Sequence, residues 1–238
     1  MRLSRIYQNT GLQTGVTVTL DQRASHYLLH VLRVKVGYAL ILFDGLGRSA
    51  HVNIQACNRK DVVVTVSDCF EENVESPLKI HLYQGVCRGE KMDFVIQKAV
   101  ELGVTAITPL LTERCQLSLD DKRRENRLEH WQQVIISACE QSGRSMLPTL
   151  NNFMNFSDYK NSQQALVLHP DSSQKLSACQ IKKSCDLLIG PEGGFADVEI
   201  DHLLAQHLIS VSLGARTLRS ETAGLAAIAV LQSLAGDF

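Results

Sequence analysis

The sequence predicts an α/β protein: a small β-rich module followed by a larger domain with a mostly parallel sheet. Three observations carry this. Short alternating or apolar runs joined by turn residues fill residues 1–72. From residue 78 onward, apolar strands alternate with amphipathic helices, the rhythm of a parallel sheet. Between the two, Glu71-Glu-Asn-Val-Glu-Ser-Pro77 breaks the apolar pattern and reads as a linker. The chain has 238 residues, enough for two domains with cores of their own.

In the first part, Val16–Leu20 alternates Val and Thr as a strand does. Asp21–Arg33 reads as one short helix, with Asp21 as N-cap and Tyr27, Leu28, Val31 and Leu32 at helical spacing. Tyr38–Phe43, Ser49–Ala56 and Val62–Val66 read as further strands, which suggests a small barrel or sandwich. In the second part, Leu78–Cys87 is a strand. Glu90–Leu102 is a helix with Met92, Val95, Ile96, Ala99 and Val100 on one face and Gly103 just past its end. Thr105–Leu111 is a strand, and Asp120–Ser142 a long helix followed by Gly143. Leu166–His169, Asp186–Ile189 and Ile209–Leu213 are strands. Asp197–His207 and Glu221–Leu234 are helices.

Charge and cysteine usage exclude several classes. With 24 basic and 25 acidic side chains, the chain is not a globally basic coat for nucleic acid. Residues 1–72 hold 8 basic and 6 acidic side chains, residues 73–238 hold 16 and 19. A polyanionic partner must then be gripped by a few placed arginines. The 7 cysteines include no C-x-x-C pair, so they read as buried small hydrophobes and no metal site is expected. The longest uncharged apolar run, Ala223–Leu231, is far short of the ~20 residues of a membrane span. The first residues carry no apolar signal segment, so a cytoplasmic protein is expected.

In an open α/β sheet, ligands bind beyond the carboxyl ends of the strands. Three such ends carry unusual loops: Leu168-His169-Pro170, Gly190-Pro-Glu-Gly-Gly194 and Leu213-Gly214 through Ser220. The second can be a plain tight turn or a close backbone approach to a ligand. The third opens a helix with Arg216, Arg219 and Glu221, which can bind a ligand or merely cap the helix. Asp44-Gly-Leu-Gly47 lies between two strands and reads as a hairpin loop.

Taken together, Arg5-Ile-Tyr7, Lys98-x-x-Glu-Leu-Gly103, Glu113-Arg-Cys115, Glu140-Gln-x-Gly-Arg144, Ile189-Gly-Pro-Glu-Gly-Gly194 and Leu213-Gly-x-Arg-x-Leu-Arg-x-Glu-Thr-Ala223 resemble the RsmE family. These are SPOUT-class methyltransferases of 16S ribosomal RNA, and the resemblance runs in order from Arg2 to the C-terminus. It implies a PUA-like β-barrel for RNA binding in residues 1–72 and a methyltransferase domain with a C-terminal trefoil knot in residues 73–238. It further implies S-adenosylmethionine as methyl donor, N3 of a uridine as acceptor, and a homodimer. The small-residue helix from Ala223 to Val230 is a plausible part of the contact between subunits.

The donor site implied comprises Leu168, His169, Pro170, Ile189, Gly190, Glu192, Gly193, Gly194, Leu213, Gly214, Leu218, Arg219, Thr222 and Ala223. Arg219 would stabilise charge on the uracil oxygens and Glu221 would be the base, with His169 the alternative. Arg5, Arg33, Arg88, Arg114 and Arg144 are candidate RNA contacts; for Arg33, at a helix end, complementing the helix dipole is an equal reading. The chain departs from the family in Ala215 for Pro, Ser220 for Thr, and Ala196 for Ser or Thr. The last removes a helix cap, worth ~1 kcal/mol, for which Asp197 is a substitute. Two rival readings stand beside this one: a SPOUT methyltransferase of another RNA position, and a non-catalytic RNA-binding assembly factor.

Overall fold

A computed structural model describes residues 3–115 and 120–238; Met1, Arg2, where the resemblance begins, and residues 116–119 lie outside the described residues. The chain divides into two compact units, Met1–Glu75 with Cys139–Leu147, and Ser76–Ala138 with Pro148–Phe238.

The first unit contains β1 (Arg5–Tyr7), β2 (Thr17–Thr19), α1 (Gln22–His26), β3 (Ala39–Phe43), β4 (Arg48–Cys57) and β5 (Val62–Glu71), with sheet order β1-β3-β4-β5-β2. β1 runs parallel to β3; the other pairings are antiparallel. Alternate residues of β4 and β5 turn inward, so Val52, Ile54, Val62 and Val64 meet Leu28, Leu40 and Leu42 in one buried core.

Asp21 caps α1 as its position predicts, its carboxylate accepting the Ala24 N–H at 2.7 Å. The expected single helix then departs from α geometry. Tyr27–Leu32 forms a π-helical turn that ends at Arg33 in the left-handed region, φ 52°. A wider turn shifts residues off the α-helical face. Leu28 alone of the predicted stripe is buried, while Val31 is 61% exposed.

The segment Cys139–Leu147 belongs with the first unit, although the sequence placed it in the second domain. Its side chains explain why. Glu140 accepts the backbone N–H of Tyr7 at 3.0 Å and the Arg23 guanidinium at 2.9 Å. Arg5 bonds Glu72 at 2.7 Å and the Ser145 hydroxyl at 2.9 Å. Arg144 forks onto the Glu75 carboxylate. Arg5 and Arg144 are 8% and 5% exposed. Both were candidate RNA contacts, and both are instead buried partners of carboxylates.

The second unit contains β6 (Lys79–Gly85), α2 (Lys91–Glu101), β7 (Ala106–Leu111), α3 (Asp121–Ser142, whose last turn joins the first unit), β8 (Thr149–Leu150), β9 (Met154–Asn155), β10 (Ala165–Leu168), β11 (Ser184–Ile189), α4 (Asp197–Ala205), β12 (Ile209–Val211) and α5 (Ser220–Ala235). Its sheet runs β12-β10-β11-β6-β7-β8, with β9 also on β7, and every one of these pairings is parallel. The α2 face predicted to be apolar is buried residue for residue, and Gly103 ends the helix at φ 86°. Among the described residues, no helix is long and apolar enough to cross a membrane. Nor do they hold a group of three or more metal-binding side chains; the rings of His26 and His30, four residues apart, are tilted by 45° with centroids 4.6 Å apart.

The ion pair of Arg144 gives the first prediction. Arg144→Ala leaves the Glu75 carboxylate, itself largely buried, without its cation. Denaturant unfolding should show a loss of about 3 kcal/mol, against less than about 0.5 kcal/mol for Arg33→Ala at an exposed position.

Candidate functional site

Because β10, β11 and β12 are parallel neighbours, their carboxyl ends open on the same edge of the sheet. The loops that follow them enclose a cavity of about 530 Å³, within the range of small-molecule sites. Leu168–Asp171 forms one wall, Ile189–Phe195 a second, and Ser212–Gly214 with Arg216–Glu221 and Ala223 a third; Lys91, Arg114 and Asp197 complete it.

The Gly190 loop is held by four devices. A Cβ on Gly190 would stand 2.9 Å from the backbone of both Gly194 and Phe195, so the loop folds back on itself only without a side chain there. The Gly194 N–H closes the turn onto the Pro191 carbonyl at 2.9 Å, with Gly194 at φ 69°. Pro191 lies so close to Gly85, at the end of β6, that any Cβ on Gly85 would overlap it. The Ser220 hydroxyl, at the start of α5, donates to the Gly190 carbonyl. Cys87 stands beside that hydroxyl at 3.5 Å; burial pushes its thiol up to about 11, against the hydrogen bond with Ser220, so it is protonated at neutral pH.

Charged groups brace the loop from outside. Glu192 accepts the Arg88 N–H and the Lys91 ammonium, each at 3.1 Å. Burial alone would raise its carboxyl; these hydrogen bonds and the Lys91 charge outweigh that and hold it below its ordinary value. Arg114 donates to the Gly193 carbonyl at 3.0 Å. Glu199, 5% exposed, accepts the N–H of Ala196 at 2.8 Å and that of Glu113 at 2.9 Å. It therefore makes the glutamate half of a capping box, fixing the backbone at Ala196, and ties the loop after β7 to the start of α4. Asp197, expected to cap, stands in the cavity wall instead.

Of the residues proposed for the donor site, the structure gathers all but Thr222 around the cavity, along with both catalytic candidates, Arg219 and Glu221. Thr222 is exposed on α5 and outside the wall. Glu221 presents a buried carboxylate oxygen, Oε2, with no hydrogen-bond partner. His169 also lines the cavity, its backbone N–H bonded to the Val211 carbonyl at 2.9 Å. Arg114, proposed for RNA, is part of the wall; Arg88 and Arg33 are exposed.

Sequence reasoning missed Lys91, Asp171, Phe195 and Ser212, read Asp197 only as a helix cap, and held Pro191, Arg216, Thr217 and Ser220 only as members of the loops that locate the site. Lys91 comes from α2, a hundred residues away along the chain, where no local pattern marks it.

Two glycines separate steric from backbone demands. Gly190→Ala forces a methyl group onto backbone atoms. At Gly214 a Cβ meets no atom within 4 Å, but φ is 121°, so Gly214→Ala is strained without a clash. Both variants should unfold more easily, by roughly 1–3 kcal/mol in denaturant titrations. Only Gly190→Ala should also displace the Gly194 amide in NMR spectra.

Comparison with known proteins agrees with this architecture. Residues 74–232 match the family model for an RNA methyltransferase domain, and residues 20–67 that for an RNA methyltransferase PUA domain. The chain is 36% identical to ribosomal RNA small subunit methyltransferase E of Buchnera aphidicola (subsp. Schizaphis graminum), covering 99% of this chain and 98% of that protein. To its Bacillus subtilis namesake it is 30% identical, over 92% and 91%. The crystal structure of the Neisseria gonorrhoeae protein of that name, bound to S-adenosyl methionine, superposes with TM-score 0.95 at 37% identity, each chain covered completely. A Legionella pneumophila chain in complex with bound SAM superposes at 0.96 with 39% identity, again over the full length of both. With matches of this extent to both domain models and to full-length relatives, the chain belongs to the ribosomal RNA small subunit methyltransferase E family.

Proposed function

We propose that this chain transfers the methyl group of S-adenosylmethionine to N3 of a uridine in 16S ribosomal RNA. The observation that carries the chemistry is the buried, unpartnered Oε2 of Glu221, placed beside Arg219 in the wall where three parallel strands end. A carboxylate oxygen shielded from water and bonded to nothing is an acceptor awaiting a proton. The relatives solved with S-adenosyl methionine support the donor. So does the cavity: apolar strand ends at Leu168, Ile189 and Leu213, and glycines at 190 and 214 that leave backbone groups open to a ligand.

When bound, the donor supplies a methyl group made electrophilic by its sulfonium. The chain's own residues do the rest. Backbone groups of the Gly190 and Gly214 loops hold the donor and orient it, and positioning of this kind supplies several kcal/mol. Glu221 Oε2 takes the proton from N3 as the N3–methyl bond forms, and Arg219 stabilises the charge spreading over the uracil oxygens. N3 is engaged in base pairing, so the target base must be unpaired or turned out of its stack.

We further propose the family's division of labour and its topology. Residues 1–72 grip RNA, with exposed Arg33 on that module and Arg88 and Arg114 near the cavity as phosphate contacts. Residues 73–238 carry the chemistry, with the C-terminal segment threaded as a trefoil knot. The return of α5 to the first elements of its unit supports the knot: Gln232 bonds the Leu102 carbonyl at 2.8 Å and the Ser76 hydroxyl at 2.6 Å. The partly exposed Leu225, Ala226, Ala229 and Val230 on α5 support a homodimer.

Three measurements test this reading. Glu221→Gln keeps the shape but cannot accept the proton. Methyl transfer should fall about 100-fold or more while calorimetric donor affinity stays within a few-fold; an unchanged rate would pass the role to His169. Mass mapping of 16S RNA methylated by the purified protein should place the group on N3 of one uridine; methylation at a carbon or a ribose overturns the assignment. Light scattering at assay concentration should give a dimer, and a fully active monomer would rule that out.

A further inference from the structure

The end of β6 holds a buried polar side chain that neither the cavity wall nor the apolar core accounts for. Gln84 is completely buried and stands across the ladder from Ile189, the last residue of β11. Its Nε2 donates to the Gly85 carbonyl at 3.0 Å and to the Ser220 hydroxyl at 3.1 Å. The Ser220 hydroxyl donates in turn to the Gly190 carbonyl.

Direction follows from the donor inventory. Reversing the amide would set Oε1 against the Gly85 carbonyl, so Nε2 stays where it is. Because Ser220 Oγ receives that N–H, its single proton goes to Gly190. Oε1 is left buried without a partner, facing Gly224, where an added Cβ would come within 3.3 Å of it. A site needing only packing would be better served by an apolar side chain, since an unmet buried acceptor is destabilising. What the amide adds is a directed bond.

We propose that Gln84 is a positioning residue for the methyl-donor site: through the Ser220 hydroxyl it locks the Gly190 carbonyl to the first turn of α5, and so sets where Arg219 and Glu221 stand relative to the Gly190–Gly194 loop. This rests on the donor reading above. Gln84 does not line the cavity; it reaches the wall through Ser220, while the same Nε2 also bonds the Gly85 carbonyl and lies 3.7 Å from Cys87 Sγ.

The test is calorimetric S-adenosylmethionine affinity of the full chain at pH 6 and pH 9, each variant expressed relative to wild type at the same pH. Gln84→Met removes the donated bond without charge and should bind about ten-fold more weakly at both pH values. Gln84→Glu behaves differently. Burial raises the introduced carboxyl's pKa, so at pH 6 it is neutral and leaves the Ser220 proton on Gly190. At pH 9 it is ionised and draws that proton to itself, releasing the Gly190 carbonyl. Its deficit should therefore grow at least five-fold between pH 6 and pH 9. Combining Ser220→Ala with Gln84→Met should cost no more than the larger single loss, because both cut the same relay.

Additive losses, the mark of two independent structural effects, overturn the proposal, as does a Gln84→Glu deficit that fails to grow at pH 9 or wild-type affinity in Gln84→Met. Thermal melts at each pH establish that the variants are folded. If Gln84→Glu is unfolded at pH 9, the cycle of Gln84→Met and Ser220→Ala decides. Wild-type chain that fails to bind the donor overturns the donor reading itself, and that result is distinct from every variant outcome.

Discussion

The chain leaves β11 and must turn back within five residues without covering the edge it has just left. Gly190 makes that possible: its Cα sits where a methyl group would press on the Gly194 carbonyl carbon and the Phe195 nitrogen. From this closure follow the exposed strand end at Ile189, the seat of Pro191 against Gly85, and the carbonyl that Ser220 holds. The cavity is less a hollow in a core than the space this loop keeps open against the β10 and β12 ends.

Charge is spent inward. Arg5, Glu140 and Glu199 each bond two partners within their own unit, Arg144 forks onto Glu75, and all four draw segments distant in sequence together. Such charges contribute little to any long-range field, which fits a chain with 24 basic and 25 acidic side chains. The cations left at the cavity, Arg114, Arg216 and Arg219, act at short range on whatever group is brought to them.

Much of the fold was legible because the patterns were local. The α2 stripe, the Gly103 and Gly143 terminators and the strand before Gly190 each announce themselves within a dozen residues. The site's location was legible for a general reason, the carboxyl ends of parallel strands, and its three loops were identifiable one by one. What failed was what depends on distant partners. The Asp21–Arg33 pattern could not reveal a π turn, since helical spacing looks the same until the core chooses which residues to bury. Arg5 and Arg144 looked like free cations because their carboxylates lie 67 and 69 residues away. Two-residue strands such as β8 and β9 are too short for any period. Thr222, adjacent to true wall residues, was included only because motifs are contiguous while helix faces are not.

The Gln84–Ser220 bond spans 136 residues, and it has a kinetic corollary. The cavity gathers segments from Lys91 to Ala223, and the wall bearing Arg219 and Glu221 is tied to β6 by a bond across 136 residues. Contacts of such separation cost chain entropy to close and slow folding as a whole. A chain that has formed its first unit, α2 and the central strands is already compact yet has no site. Competence to bind a ligand here therefore requires these long-range closures, and ligand affinity is itself a reporter of whether they have been made.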